Sequence, residues 1–143
     1  MAGRIVLFIC VENACRSLMA EAMFNARRPR GWGAISAGME PASHPNPRTG
    51  PMLQEIGLSL PSHPPQILTV EMMTRASVRV TMGCLGRESC PARLKTLPLV
   101  DWALQDPGKL DNAGFRQVRD ELQRRVDQLI QDLANPAHSG ELL

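Results

Sequence analysis

Cys10, Arg16 and Ser17 are the residues whose types and spacing most directly suggest chemistry. They lie in Ile5-Val6-Leu7-Phe8-Ile9-Cys10-Val11-Glu12-Asn13-Ala14-Cys15-Arg16-Ser17, where an apolar, β-rich run ends on a cysteine, five residues turn, and good helix formers follow. A loop leading into a helix can aim several backbone N–H groups inward, and the helix start adds partial positive charge at the same point. Val11, Glu12, Asn13, Ala14 and Cys15 can therefore form a nest for an anion, with Arg16 closing the ring through a bidentate, charge-assisted contact. Cys10 then sits at the bottom of a cup whose field favours thiolate over thiol, and the Ser17 hydroxyl can donate to the sulfur. A thiolate beneath a tetrahedral oxyanion is arranged for attack on the anion's central atom. The plainer alternative is a buried cysteine at a strand end and a solvated arginine opening a helix.

Two further groups could serve such a centre. Cys84 and Cys90 flank Leu85-Gly86-Arg87-Glu88-Ser89. In a regular helix a rise of about 1.5 Å per residue would hold them about 9 Å apart, so a bond between them needs a bent or unwound segment. Gly83 and Gly86, with Pro91 as a stop, supply that freedom. Asp106 precedes Pro107, which biases it toward extended backbone and suits a loop that holds a carboxyl over a neighbouring pocket. Alternatively Cys84 is a buried strand-end residue, Cys90 an inert surface thiol and Asp106-Pro107-Gly108 an ordinary turn. The four cysteines include no Cys-x2-Cys pair and no clustered histidine joins them, so no zinc or other metal site is expected of them.

The elements that must position these groups follow from periodicity. A strand is expected over 4–10, a helix over 17–27 with Met19, Ala20, Ala22, Met23 and Ala26 on its buried side, and a strand over 32–37 closed by Gly38. Further along come helices over 48–56, capped by Gly57, and 68–75, a strand over 77–82 and a fourth over 96–100. The longest helix should span 112–133, burying Phe115, Val118, Leu122, Val126, Leu129, Ile130 and Leu133 while Arg116, Arg119, Asp120, Arg124 and Asp127 face away. Strands alternating with helices imply an α/β domain with an open, mostly parallel four-stranded sheet between helices on both faces. Cys10, Cys84 and Asp106 each follow a strand or strand-like run, so the carboxyl edge of that sheet would gather them.

Phe8-Ile9-Cys10-Val11-Glu12-Asn13-Ala14-Cys15-Arg16-Ser17, with Met19-Ala20-Glu21-Ala22 after it, resembles the signature of the low-molecular-weight protein tyrosine phosphatase superfamily, a group that includes thiol-dependent arsenate reductases. Ser36-Ala37-Gly38 resembles the family's second strand and turn, Ser62-His63 follows part of an Ile-x-Ser-x-His-like pattern, and Trp102-x3-Asp106-Pro107 resembles its general-acid loop. Thr81-Met82-Gly83-Cys84 and Cys90-Pro91 resemble the redox segment of the arsenate reductases. The resemblance implies strand order 2-1-3-4 and arsenate reduction without a cofactor, by a three-thiol cascade. In it Cys10 attacks arsenic, Val11 to Arg16 hold the oxyanion, Asp106 protonates the leaving oxygen, and Cys84 and then Cys90 pass the disulfide on. The implied reductant is thioredoxin, or glutaredoxin with glutathione. The alternative within the family is a phosphatase acting on aryl phosphates through Cys10, Arg16 and Asp106. A tyrosine pair often follows Asp-Pro in the tyrosine phosphatases, whereas this chain has Gly108-Lys109 and no tyrosine. A third reading is an anion-binding or redox-sensing module without turnover.

The 143 residues suit one domain, with 136–143 as a frayed tail after Pro136. A net charge of +2 on scattered arginines does not call for nucleic acid, and no apolar run reaches membrane-spanning length. A monomeric, cytoplasmic protein is expected.

Overall fold

The computed structural model describes residues 3–83 and 98–135. Cys84, Gly86, Cys90, Pro91, the first two residues expected of the fourth strand (Thr96 and Leu97) and the tail 136–143 lie outside the described residues. Four parallel strands, β1 (Arg4–Cys10), β2 (Trp32–Gly38), β3 (Val78–Thr81) and β4 (Val100–Asp101), form one sheet in the order 2-1-3-4 expected. Helices α1 (Arg16–Arg27), α2 (Thr49–Gln54), α3 (Val70–Arg75) and α4 (Asn112–Ala134) surround it.

β1 is central, paired with β2 from Arg4↔Trp32 to Cys10↔Gly38 and with β3 from Val6↔Val78 to Ile9↔Thr81. A strand covered on both faces reads as an unbroken apolar run, which is why Val6 to Cys10 carry no alternation. Val6 and Phe8 face α1, α2 and α4 in the larger core, with Met19, Met23, Phe24, Leu53, Phe115 and Leu122. Leu7 and Ile9 face the smaller core on the opposite side, with Leu68, Met73 and Ala76 around α3. Phe8 anchors the larger core, edge-on to Phe24 at 6.2 Å and tilted against Trp102 at 5.8 Å.

Several sequence expectations need correction. Among the described residues β4 spans only Val100–Asp101, with Pro98, which has no N–H to give a ladder, and Leu99 outside it, and pairing there begins at Val80↔Val100. α3 starts at Val70 rather than 68, since the Leu68 amide is taken by the Gly38 carbonyl at 2.8 Å and Thr69 caps the helix through Met72 N–H. On α1, Ala26 is exposed and Ala22 half-buried, while Leu18 and Phe24 are buried. There Asn25 turns to β2, where its amide pairs with both the N–H and the C=O of Ala34 and occupies the free sheet edge. On α4, Arg119 does not face away. It is buried beneath α2, with its guanidinium on Glu55 at 2.6 Å, on Asp120 at 3.0 Å and on the Met52 carbonyl. A long stem with a multidentate head can be buried where a short charge could not. Arg116 first, then Arg119, holds the Glu55 carboxyl at about 2, well below its ordinary range.

Candidate active site

β1 ends at Cys10 and α1 begins at Arg16, so residues 11–15 must turn the chain between them. Their carbonyls are drawn outward. Cys10 C=O accepts from Met39 N–H (3.2 Å), Val11 C=O from Glu40 (2.8 Å), Glu12 C=O from Ala42 (2.9 Å), and Ala14 C=O from Asn46 N–H (3.1 Å) and Thr49 Oγ1 (2.8 Å). With the carbonyls held outside by residues 39–49, the loop's amide edge faces inward. Asn13 takes the left-handed turn this needs at φ 52°, a conformation asparagine tolerates better than most residues. β2 must come close for the same reason. A Cβ on Gly38 would meet Val11 O at 2.7 Å and Asn13 N at 2.8 Å, so only glycine lets the strand end pass beneath the loop.

The cup opens into a cavity of about 230 Å³ lined by Cys10, Val11, Glu12, Ala14, Cys15, Arg16, Asp106 and Lys109. The sequence-derived nucleophile, guanidinium and acid thus meet around one space sized for a small polar guest. Cys10 Sγ receives Asn13 N–H at 3.2 Å and lies 2.8 Å from Ser17 Oγ. Arg16 is buried, and its Nη1 donates to the carbonyls of Met82 (2.6 Å) and Leu104 (2.8 Å). That anchoring engages one nitrogen of the fork, and among the described residues Nε and Nη2 have no hydrogen-bond partner. Asp106 sits in extended backbone (φ −73°, ψ 110°), its Oδ1 accepting from Gly108 N–H at 3.0 Å to cap a single 3₁₀ turn, Pro107–Lys109.

Behind the sulfur is a buried polar chain of Asn13, Ser17, Ser36, Glu21 and His63. Asn13 Nδ2 reaches Ser17 Oγ (2.7 Å) and Ser36 Oγ (3.0 Å), Ser36 Oγ reaches Glu21 Oε1 (2.7 Å), and Glu21 Oε1 meets His63 Nε2 (2.8 Å). Gln66 N–H donates to Asn13 Oδ1 at 3.0 Å, which fixes the amide's orientation. His63 Nδ1 also faces the Pro64 carbonyl at 2.7 Å. Both neighbours of the ring only accept, so an imidazole satisfying both carries two protons. Burial pushes His63 down, but the bonds to Glu21 and Pro64 outweigh it and raise it above 6.5. A buried glutamate one turn beyond the Arg16-Ser17 helix start was the available sequence signal, because such a charge demands a partner.

Cys15 belongs to the wall of the cup. Burial pushes its thiol up to about 11 despite a hydrogen bond with Thr49, so it stays protonated and inert near neutrality. Cys84 and Cys90 lie outside the described residues. No group of three or more histidines, cysteines or carboxylates able to hold a metal occurs among the described residues.

Residues 5–138 match the family described as low molecular weight phosphotyrosine protein phosphatase, and the chain belongs to that family. It is similar to an arsenate reductase of Halalkalibacterium halodurans, 31% identical over 132 residues, covering 88% of this chain and 94% of that one. Among solved structures, a thioredoxin-dependent arsenate reductase of Corynebacterium glutamicum superposes with a TM-score of 0.73 at 30% identity, over 90% of this chain and 61% of that longer one. An arginine phosphatase from Geobacillus stearothermophilus superposes with a TM-score of 0.78 at 25% identity, over 91% of this chain and 92% of that one. The chain is thus an enzyme of the arsenate reductase and low-molecular-weight phosphatase family. No helix among the described residues is long and apolar enough to cross a membrane.

Proposed function

We propose that this protein reduces arsenate to arsenite with its own thiols. The observation that carries this reading is the buried Cys10 sulfur, hydrogen-bonded by Asn13 N–H and beside Ser17 Oγ, at the base of a small polar cavity that Arg16 and Asp106 also line. Similarity to the H. halodurans arsenate reductase over most of both chains supports the choice of substrate. Arsenate enters the cup as an oxyanion, held by the amides of residues 11–16 and by the free edge of Arg16. Cys10 thiolate attacks arsenic, and an arsenate oxygen leaves as water with its proton from Asp106. Cys84 thiolate attacks the Cys10 sulfur of the adduct. The S–As pair stays on arsenic, which leaves as arsenite, and a Cys10–Cys84 disulfide carries the two electrons' worth of oxidation. Cys90 then attacks Cys84, freeing Cys10, and Cys84–Cys90 is reduced by an external dithiol. Thioredoxin is the preferred donor, given the C. glutamicum neighbour's dependence on it, and glutaredoxin with glutathione is the alternative.

The second reading is phosphatase action, which needs only Cys10, Arg16 and Asp106 and a water to hydrolyse a cysteinyl phosphate. Superposition on an arginine phosphatase favours it. Cys84→Ser separates the two. The reductase loses arsenate turnover in that variant while slow aryl-phosphate hydrolysis persists. Arsenate turnover at the wild-type rate would refute the cascade. Mass mapping after one turnover without reductant should find Cys84 joined to Cys90.

A further inference from the structure

The stretch Asn46-Pro47-Arg48-Thr49, which joins β2 to α2, touches both halves of the site. On one side Asn46 N–H and Thr49 Oγ1 hold the Ala14 carbonyl of the anion loop, at 3.1 and 2.8 Å. On the other, the Arg48 guanidinium grips the backbone around Asp106. Its Nη2 donates to the carbonyls of Pro107 (3.3 Å) and Gly108 (3.1 Å), and its Nη1 to the Leu110 carbonyl (2.8 Å) and Asn112 Oδ1 (3.2 Å). Its Cζ stands 4.9 Å from the centroid of the Phe115 ring, and its own N–H is fixed by Asn46 Oδ1 at 2.9 Å.

Arg48 has no carboxylate partner among the described residues. Its charge is directed at neutral acceptors, all of them in residues 107–112. Arg16 holds the Leu104 carbonyl on the near side of Asp106, while among the described residues the Asp106 carboxylate itself bonds within its own turn, through Gly108 N–H. Gly108 also packs against this stretch, where a Cβ would meet Asn46 Nδ2 at 3.2 Å. A planar fork can span four acceptors in one orientation, which a single ammonium cannot.

We propose that Arg48 is the positioning residue that sets Asp106 over Cys10. It contacts neither the cavity nor the thiol and acts through the acid loop's carbonyls, while Thr49 beside it ties the same backbone to the cup. The inference rests on the assignment of Asp106 as proton donor.

Arg48→Met keeps an apolar stem on Phe115 and removes every donor. The test reads the first arsenate turnover, followed by loss of free thiols, in Arg48→Met, Asp106→Asn and the double variant. A misplaced acid slows the first turnover by about 10- to 100-fold. Half-saturation by arsenate and the thermal shift given by inorganic phosphate stay near wild type, because the cup keeps Thr49. In the Asp106→Asn background Arg48→Met adds nothing, since there is no proton left to place. Arg48→Lys restores only part of the rate. The proposal is overturned if Arg48→Met turns over at the wild-type rate, if it slows Asp106→Asn further by the same factor, or if it abolishes the phosphate shift. Asp106→Asn at full speed would instead remove the acid assignment, and this inference with it. Should Arg48→Met not fold, Arg48→Gln carries the same comparison.

Discussion

Ser17 Oγ lies 2.8 Å from the Cys10 sulfur, with its proton available to that sulfur. The polarity follows from one backbone amide. Gln66 N–H can only donate, so Asn13 Oδ1 accepts and Asn13 Nδ2 must give its two protons to Ser17 Oγ and Ser36 Oγ. Ser17 Oγ, already accepting from Asn13, keeps its own proton to give, and among the described residues the partner for it is the sulfur 2.8 Å away. Ser36 by the same logic donates to Glu21.

Ser17→Ala removes the hydroxyl contact to the Cys10 sulfur, and a hydrogen bond to a charged group is worth about 1.5–3 kcal/mol. Alkylation of Cys10 by iodoacetamide at neutral pH should slow by about 10- to 100-fold, with inorganic phosphate binding unchanged. Peptide mapping reads the rate at Cys10 alone, and an unchanged rate would show that the hydroxyl does not support the thiolate.

Cys15 faces the same cup, but burial outweighs its hydrogen bond with Thr49. With burial holding its thiol at about 11, it should remain unmodified in folded protein at pH 8 while Cys10 is alkylated, and react once the chain is unfolded. Labelling of Cys15 in the native state at a rate like that of Cys10 would contradict its place in the wall.

The cup was legible because its information is local: five loop residues between an apolar strand and a helix leave few ways to place Cys10, Arg16 and Ser17. The sheet order followed from the family resemblance, and β1 from its unbroken apolar run. Arg119 and Ala26 were misread for a common reason. Helical periodicity assigns a face, but what covers that face is set by another element, α2 over Arg119 and β2 over Asn25. His63 and Arg48 were hidden differently. Each acts on residues at least 42 positions away, and nothing in Ser62-His63-Pro64 or Pro47-Arg48-Thr49 names Glu21 or the Gly108 carbonyl as its partner.

The Glu21–His63 pair makes stability depend on pH. The folded-state value of His63 is raised above 6.5, so its contribution is complete below that value and is lost as pH climbs through the folded one. With the ring partly exposed, about 1 kcal/mol is expected, or roughly 2–4 °C in melting temperature. His63→Gln should therefore melt below wild type at pH 6, with the gap closing by pH 9. A gap that widens with pH would reverse the sign of the linkage.

Gly38→Ala tests whether the close passage of β2 beneath the loop shapes the cup. The added methyl would press on Val11 O and Asn13 N, which are backbone and cannot swing aside as a side chain would. Asn13 is also tied by Gln66 and by Cys10 Sγ, so the strain moves into the amides of the loop over Cys10. Overpacking of this kind costs about 1–3 kcal/mol. Part of that should appear as a lower melting temperature and part as weaker phosphate binding, by about 5- to 50-fold, measured by titration calorimetry on the folded variant. If the variant melts lower but binds phosphate as tightly as wild type, β2 supports the fold without shaping the cup, and the anion loop holds its conformation through residues 39–49 alone.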